Sequence, residues 1–260
     1  MLPILDLGPI SIQTPGLLVV IGAWVGLLYT ERYARKLNLD ANSISNMIMM
    51  ALLVGLIGSR LSYAAQHPSA FSAHILGLLS LSPEMLDPLG GIAAGLLAAI
   101  IYGQRKKLPF WQTLDALTPA AAFFMVVLGL SHLASGKAYG TPTTVPWGFY
   151  LWGAVRHPSQ IYEMIAATII AAIIWPRSRQ SWADLPGTRF LAWLALSAFT
   201  RIFLETFRGD SILIFSSPRL AQLAAWIILA GSLWLLRKRL TTRPITASWE
   251  KQNEKDRRNE

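Results

Sequence analysis

Seven strongly apolar stretches recur along the 260 residues of this chain, which is 53% hydrophobic and only 14% charged. Such a composition is typical of membrane proteins and excludes an ordinary soluble domain. Several stretches are shorter than the roughly 20 residues of a perpendicular span, so some of their ends belong at the interface or in cavities. The pattern predicts an all-α membrane domain over residues 1–240 with seven transmembrane helices, followed by a charged, disordered tail over 241–260. The stretches are 15–29, 47–65, 89–103, 117–134, 160–175, 189–207 and 220–236.

The distribution of Lys and Arg predicts the orientation of these helices. With the N-terminus outside, 16 of the 23 basic residues fall on the segments 30–46, 104–116 and 176–188 and on the tail. We therefore expect an outside N-terminus and a cytoplasmic C-terminus. The net charge of +9 then reflects topology and attraction to the lipid bilayer, and we expect no nucleic-acid partner.

The sequence gives no support for a metal site or a cofactor. The chain has no cysteine and four scattered histidines, so thiolate ligands, disulfides and a cysteine nucleophile are excluded on this chain.

Three charged residues lie at the end of the sixth stretch or directly after it. Arg201, Glu205 and Arg208 are spaced i, i+4 and i+7, which places them on one helical face. Charges in a membrane are costly, about 2.5–3.5 kcal/mol each at the bilayer centre, and usually mark functional sites. The face is a candidate site for a charged headgroup; the alternative is an internal Arg201–Glu205 pair with Arg208 reaching the interface.

The segment 156–163, Arg-His-Pro-Ser-Gln-Ile-Tyr-Glu, leads into the fifth stretch. Pro158 suits the first helical position, which makes His157 the expected N-cap and lets Gln160 reach back as in a capping box. A helix N-terminus is a natural anion site, although a plain helix start explains the pattern equally well.

Under the predicted orientation, the residues named so far lie toward the outer side of the membrane, and further candidates lie on that side too. Arg60 is either a ligand for a lipid phosphate or a snorkelling residue. The Gly90-Gly91 pair allows close backbone approach, and helix packing is its simpler explanation. His132 and Lys137 lie among glycines after the fourth stretch, in what could be a plain loop.

At these residues the chain resembles the prolipoprotein diacylglyceryl transferases of bacterial envelopes. His157-Pro-Ser-Gln-Ile-Tyr-Glu163 is close to a hallmark of that family. Arg201-Ile-Phe-Leu-Glu205-Thr-Phe-Arg208 looks like the family's Arg-x-x-x-Glu-x-x-Arg segment, and Gly58-Ser-Arg-Leu-Ser-Tyr63 is similar to its second-span motif.

The resemblance implies transfer of the diacylglyceryl group of phosphatidylglycerol to the thiol of a lipobox cysteine in a prolipoprotein signal peptide, with release of a glycerol phosphate. Arginines would hold the phosphate, and a basic group would deprotonate the thiol. The expected catalytic residues are Arg201, His157, His132 and Glu205. The expected substrate-binding residues are Arg60, Tyr63, Gly90, Gly91, Lys137, Arg156, Ser159, Gln160, Tyr162, Glu163 and Arg208.

The chain departs from the family pattern in two places. Leu89 stands where the family has a histidine before its Gly-Gly pair. The family signature Gly-Arg-x-Gly-Asn-Phe-x-Asn-Gly-Glu is replaced by residues 128–137, Leu-Gly-Leu-Ser-His-Leu-Ala-Ser-Gly-Lys. The alternatives are therefore an active transferase with a rearranged site, or a divergent paralogue that binds phospholipid or lipoprotein precursor, or uses another acceptor. A transporter or channel has less support, because no inverted repeat is visible.

Overall fold

A computed structural model of the chain describes residues 4–7, 10–69, 85–176, 185–213 and 219–241. Within these residues the fold is helical, with seven α-helices and two short antiparallel hairpins. The helices are α1 (Thr14–Lys36), α2 (Ala41–Gln66), α3 (Pro88–Arg105), α4 (Phe110–Ser135), α5 (Ser159–Ile174), α6 (Thr188–Leu204) and α7 (Leu220–Thr241). The strands are β1 (Ile4–Leu7) paired with β2 (Ile10–Gln13), and β3 (Phe149–Leu151) paired with β4 (Ala154–Arg156).

The seven apolar stretches correspond one by one to the seven helices. Five of them, α1, α2, α4, α7 and α6 with the 3₁₀ turn Glu205–Phe207 that continues it, are long and apolar enough to cross a membrane. The helix α3 has 18 residues and α5 has 16, about 27 and 24 Å at 1.5 Å per residue. The prediction of a helical membrane protein is confirmed, while the tail 242–260 lies outside the described residues.

The chain divides into two compact units, residues 27–116 and the remainder. In the first, α2 and α3 pack closely through small residues, as helices in membranes do. A methyl group added at Gly91 would lie 2.8 Å from Ser59 Cβ and 3.0 Å from the carbonyl oxygen of Gly55. Asp87 caps α3 and Pro88 occupies its first turn, a favourable helix start.

The second unit contains the N-terminal half of α1, most of α4, and α5 to α7. Ser131 of α4 donates a hydrogen bond to the carbonyl of Pro15 (3.0 Å), and a methyl group at Gly22 would lie 2.7 Å from Val127 Cγ1. Arg189 at the start of α6 donates to the carbonyl of Ile174 at the end of α5. These contacts tie the helices of the unit to one another.

The hairpin β3–β4 is a feature that sequence analysis did not predict. Its turn consists of Trp152 (φ 49°) and Gly153 (φ 79°), the two positive φ angles that a type I′ turn requires. Residues 140–143 extend the hairpin through bridges from Gly140 to Arg208 and from Pro142 to Arg156. The segments 137–158 and 205–210 are thereby fixed relative to each other.

The predicted start of α5 was wrong by one residue. The helix begins at Ser159, its N-cap is Pro158, and no side chain caps it. The side-chain nitrogen of Gln160 instead donates to the carbonyl of Lys137 (2.9 Å), so the expected capping box does not form.

Candidate functional site

Arg201 lies in the last turn of α6, with 37% of its side chain exposed. Its Nη1 is 3.0 Å from Glu163 Oε1 on α5, and its Nη2 is 2.8 Å from Glu205 Oε2. Glu205 begins the 3₁₀ turn that follows α6, is only 2% exposed, and also accepts a hydrogen bond from Ser211 Oγ (2.7 Å). Glu205 therefore fixes the guanidinium of Arg201 from the protein side, in agreement with the i, i+4 pairing that the sequence suggested as an alternative.

Glu163 connects the two arginines. Its Oε1 accepts hydrogen bonds from Arg201 and from Arg208 Nη1, which is 3.1 Å away. Arg208 also pairs with Asp210 in a bidentate arrangement, with Nε–Oδ1 and Nη2–Oδ2 distances of 2.9 Å. These five residues form the ion-pair cluster: Glu163, Arg201, Glu205, Arg208 and Asp210.

The charge of this cluster differs from the sequence expectation. The sequence analysis expected arginines that hold a phosphate, whereas the ion-pair cluster contains two guanidinium groups and three carboxylates. The sequence analysis missed Asp210, although an acidic residue two positions after Arg208 indicated a possible ion pair. The arginines are therefore oriented by carboxylates before any ligand is bound.

His132, near the end of α4, approaches the ion-pair cluster. Its Nδ1 lies 3.9 Å from Glu163 Oε2. This nitrogen is buried and makes no hydrogen bond within the described part of the chain. Lys137, five residues later, has an exposed side chain. Of the two residues, His132 is therefore the one that the fold brings to the Arg201–Glu163 pair.

A cavity of 420 Å³ opens beside Arg201, Glu163 and His132. Helices α4, α5, α6 and α7 form its walls. Away from the three polar residues the lining is mostly small or aliphatic, including Ala167, Ile170, Leu194, Ala225 and Ile228. A cavity with a charged end and an apolar body has the polarity of an amphiphilic molecule such as a lipid.

The segment before α5 holds several of the predicted site residues. Ser159 and Gln160 are buried, and they donate to the backbone carbonyls of Ala138 (2.6 Å) and Lys137 (2.9 Å). Both residues therefore attach α5 to the segment after α4, while Glu163 of the same motif belongs to the ion-pair cluster.

His157 lies in an aromatic group rather than beside Arg201. Its Nδ1 is 3.4 Å from the Tyr162 hydroxyl, and its ring meets Phe207 edge-on at 5.2 Å. The Tyr162 hydroxyl also accepts a hydrogen bond from the indole of Trp147 (2.7 Å).

Arg156 supports the hairpin β3–β4. Its guanidinium donates to the carbonyls of Leu151 (2.9 Å) and Gly140 (3.2 Å) and lies over the ring of Tyr139. The side chain therefore stabilises backbone segments on both sides of the hairpin.

The remaining candidates belong to the unit of residues 27–116. Arg60 is 7% exposed and donates to the carbonyl of Met85 (3.0 Å). Tyr63 stacks on His67 with ring centroids 4.4 Å apart. Gly90 and Gly91 pack against α2, where added methyl groups would meet Ser62 and Ser59. Packing accounts for both glycines, as the simpler sequence explanation stated.

Asp87 connects α2 to the start of α3, next to these candidates. Its carboxylate accepts hydrogen bonds from Ser62 Oγ (2.5 Å) and Gln66 Nε2 (3.0 Å) and from the backbone N–H of Gly90 (3.1 Å). The hydrogen bond from Ser62 is the main reason that the pKa of Asp87 lies below its ordinary value, with desolvation as a smaller opposing effect.

Comparison with known proteins identifies the family. The sequence model described as "Prolipoprotein diacylglyceryl transferase" matches residues 3–237. A curated phosphatidylglycerol–prolipoprotein diacylglyceryl transferase from Trichormus variabilis is 26% identical over 255 residues, covering 91% of this chain and 90% of the relative. Relatives with the same name from Finegoldia magna and Lactobacillus johnsonii are 27% and 23% identical, covering 85% and 90% of this chain and 89% and 90% of their own lengths. The chain belongs to the prolipoprotein diacylglyceryl transferase family.

Proposed function

We propose that this protein transfers the diacylglyceryl group of phosphatidylglycerol to the lipobox cysteine thiol of prolipoproteins, the activity that the names of its relatives describe. The observation that carries the proposal is the position of Arg201, Glu163 and His132 at the charged end of a cavity whose remaining lining is mostly small or aliphatic. That arrangement suits a substrate whose charged headgroup and acyl chains must be held at the same time.

The protein works in the bacterial inner membrane as a seven-span domain over residues 1–240, with its N-terminus outside and its tail, 241–260, in the cytoplasm. The excess of basic residues on the segments assigned to the inside supports this orientation. The helices α3 and α5 are shorter than the roughly 30 Å of the hydrocarbon core, which suits spans that end in a cavity or at the interface.

Arg201 and Arg208 bind the phosphate of the lipid headgroup. Arg201 is 37% exposed and borders the cavity, so a phosphate entering there reaches its guanidinium. Glu205 and Asp210 act as positioning residues, because each holds one of the arginines through a short ion pair. Charge-assisted contacts of this kind stabilise the negative charge that develops on a departing phosphate.

His132 is the base. The thiol gives its proton to the imidazole, and the thiolate sulfur attacks the carbon of the diacylglyceryl group that is bonded to the phosphate oxygen. A carbon–sulfur bond forms as the bond between that carbon and the phosphate oxygen breaks. The electron pair leaves with glycerol phosphate. Glu163, 3.9 Å from His132 Nδ1, stabilises the imidazolium that results. His157 is the alternative base; its hydrogen-bonding distance to Tyr162 and its aromatic packing favour a supporting role.

The other residues predicted for the site contribute less directly. Ser159, Gln160 and Arg156 shape the outer segments through their bonds to backbone carbonyls. Lys137 offers an exposed cation for the headgroup or for the precursor, and Tyr162 supports His157. Headgroup binding by Arg60, Tyr63, Gly90 and Gly91 stays a prediction from the motif.

The test is complementation of a bacterium depleted of its own diacylglyceryl transferase. Expression of this chain is expected to restore growth and lipid-modified prolipoprotein, even though Leu89 and residues 128–137 depart from the family pattern. Absence of modified product from a stably inserted protein would contradict the proposal. That result would favour the divergent paralogue that binds phospholipid or precursor, or modifies another acceptor.

A further inference from the structure

The polarity of the side chains on one face of α6 increases along the helix. Trp193, Ser197 and Arg201 are spaced i, i+4 and i+8, so they lie on one face, and all three line the cavity. The indole N–H, the hydroxyl and the guanidinium thus follow one another at intervals of about 6 Å along the helix axis. Between and beyond them the cavity wall is apolar, with Leu194, Ile170 and Ile228.

The indole nitrogen of Trp193 is buried and has no hydrogen-bond partner among the residues that the structure describes. A buried donor without an acceptor is costly, and inside a bilayer water does not readily supply one. Tryptophan usually finds a partner for this N–H when it is buried. An acceptor that arrives with the substrate would meet the requirement.

We propose that the indole N–H of Trp193 donates a hydrogen bond to an ester carbonyl of the diacylglyceryl lipid in this cavity. Trp193 is then a specificity residue that distinguishes diester from diether lipids. The inference rests on the proposed function, since it takes phosphatidylglycerol as the ligand whose phosphate lies at Arg201.

The dimensions fit this assignment. Eight residues separate Trp193 from Arg201, about 12 Å along the helix axis. The ester carbonyls of a phospholipid lie a few bonds below its phosphate, at the border between the polar and the apolar parts of the molecule. Both residues line the same cavity, so a lipid with its phosphate at Arg201 that extends along this face of α6 brings its glycerol and carbonyls toward Trp193 and its chains among the aliphatic residues. A diether analogue has the same shape and charge but no carbonyl oxygen.

The experiment compares diester phosphatidylglycerol with a diether analogue carrying matched chains. Rates of transfer to a lipobox peptide, and binding of each lipid, are measured for the wild type and for Trp193→Phe. A matched control is Trp226→Phe on α7, since Trp226 is 57% exposed and does not line the cavity. We expect the wild type and the control to prefer the diester about two- to tenfold, the contribution of one hydrogen bond. Trp193→Phe should lose this preference through weaker use of the diester alone.

An unchanged diester preference in Trp193→Phe would overturn the proposal, as would equal use of the two lipids by the wild type. If Trp193→Phe does not fold, benzothienylalanine at position 193 keeps the shape of the indole and removes only the N–H. A wild type that binds both lipids but transfers neither would contradict the proposed function, and the binding ratios would still test Trp193.

Discussion

Arg60 and Arg201 both lie in helices that are long and apolar enough to cross a membrane, and their surroundings differ. Arg60 of α2 is 7% exposed and donates to the backbone carbonyl of Met85 in a region where helices pack through glycines. Arg201 of α6 is 37% exposed, pairs with two carboxylates and borders a cavity. The sequence motifs predicted that both arginines act on the lipid headgroup. In the structure Arg60 is a buried hydrogen-bond donor, whereas Arg201 is an accessible cation.

The difference shows that a charge in an apolar helix has two explanations that only its neighbours distinguish. A buried arginine that donates to backbone carbonyls satisfies groups that the membrane cannot solvate. An accessible arginine held between carboxylates is oriented for a ligand. We therefore infer that Arg60 acts mainly on stability and Arg201 mainly on transfer.

Replacing Arg201 is expected to have the largest effect. Arg201→Ala should reduce transfer by about 10³-fold or more, the scale on which a charge-stabilising arginine acts in phosphoryl transfer. Arg201→Lys should recover only part of the rate, because lysine lacks the planar fork of donors. Initial rates of lipid transfer to a lipobox peptide measure both changes.

Arg35→Ala is the control for Arg201, because Arg35 is exposed and pairs only within α1 in the described contacts. If a folded Arg201→Ala protein transferred lipid and bound phosphatidylglycerol as well as the control does, the assignment of Arg201 to the headgroup would be contradicted.

The second prediction separates the two candidate bases. His132→Asn should reduce transfer by about 10²-fold or more, because it removes the group that accepts the thiol proton. His157→Asn should have a smaller effect, since His157 packs in an aromatic group. Initial transfer rates of the two variants, each compared with the wild type, check this prediction. The reverse order of the two variants would assign the base to His157.

These predictions depend on a site of which the sequence anticipated only part. The i, i+4 spacing indicated the Arg201–Glu205 pair, and apolar stretches located all seven helices, because both depend on local periodicity. The approach of His132 to Glu163 joins residues 31 positions apart, and no local pattern contains that information. The cavity was likewise set by tertiary packing, whereas Asp210 and the hairpin at Trp152-Gly153 depend on local contacts that the sequence analysis missed.

Arg60→Met should change stability more than chemistry. The substitution keeps an aliphatic side chain but removes hydrogen bonds from a charged donor, which contribute about 1.5–3 kcal/mol each. We expect a lower unfolding temperature in detergent and nearly normal transfer per folded molecule. A stable Arg60→Met protein whose transfer falls as far as that of Arg201→Ala would place Arg60 in the headgroup site instead.

The smallest predicted effect concerns the helix contact near Arg60. Gly91→Ala adds a methyl group against Ser59 and the carbonyl of Gly55, and such overpacking costs about 1–3 kcal/mol. Gly231→Ala in α7 is the matched control, because nothing lies within 4 Å of its added methyl group and alanine favours a helix. Thermal unfolding should show destabilisation in the first variant alone. Equal stability of the two would mean that α2 and α3 pack less closely than described.

The most direct test of the central claim is transfer by the purified protein. The protein is reconstituted with phosphatidylglycerol and given a lipobox peptide, and the mass of the peptide is measured alongside a matched peptide with serine in place of the cysteine. We predict that one diacylglyceryl group is added to the cysteine peptide only, and that Arg201→Ala abolishes the addition. An unmodified peptide, under conditions in which the Trichormus variabilis relative modifies it, would contradict the account.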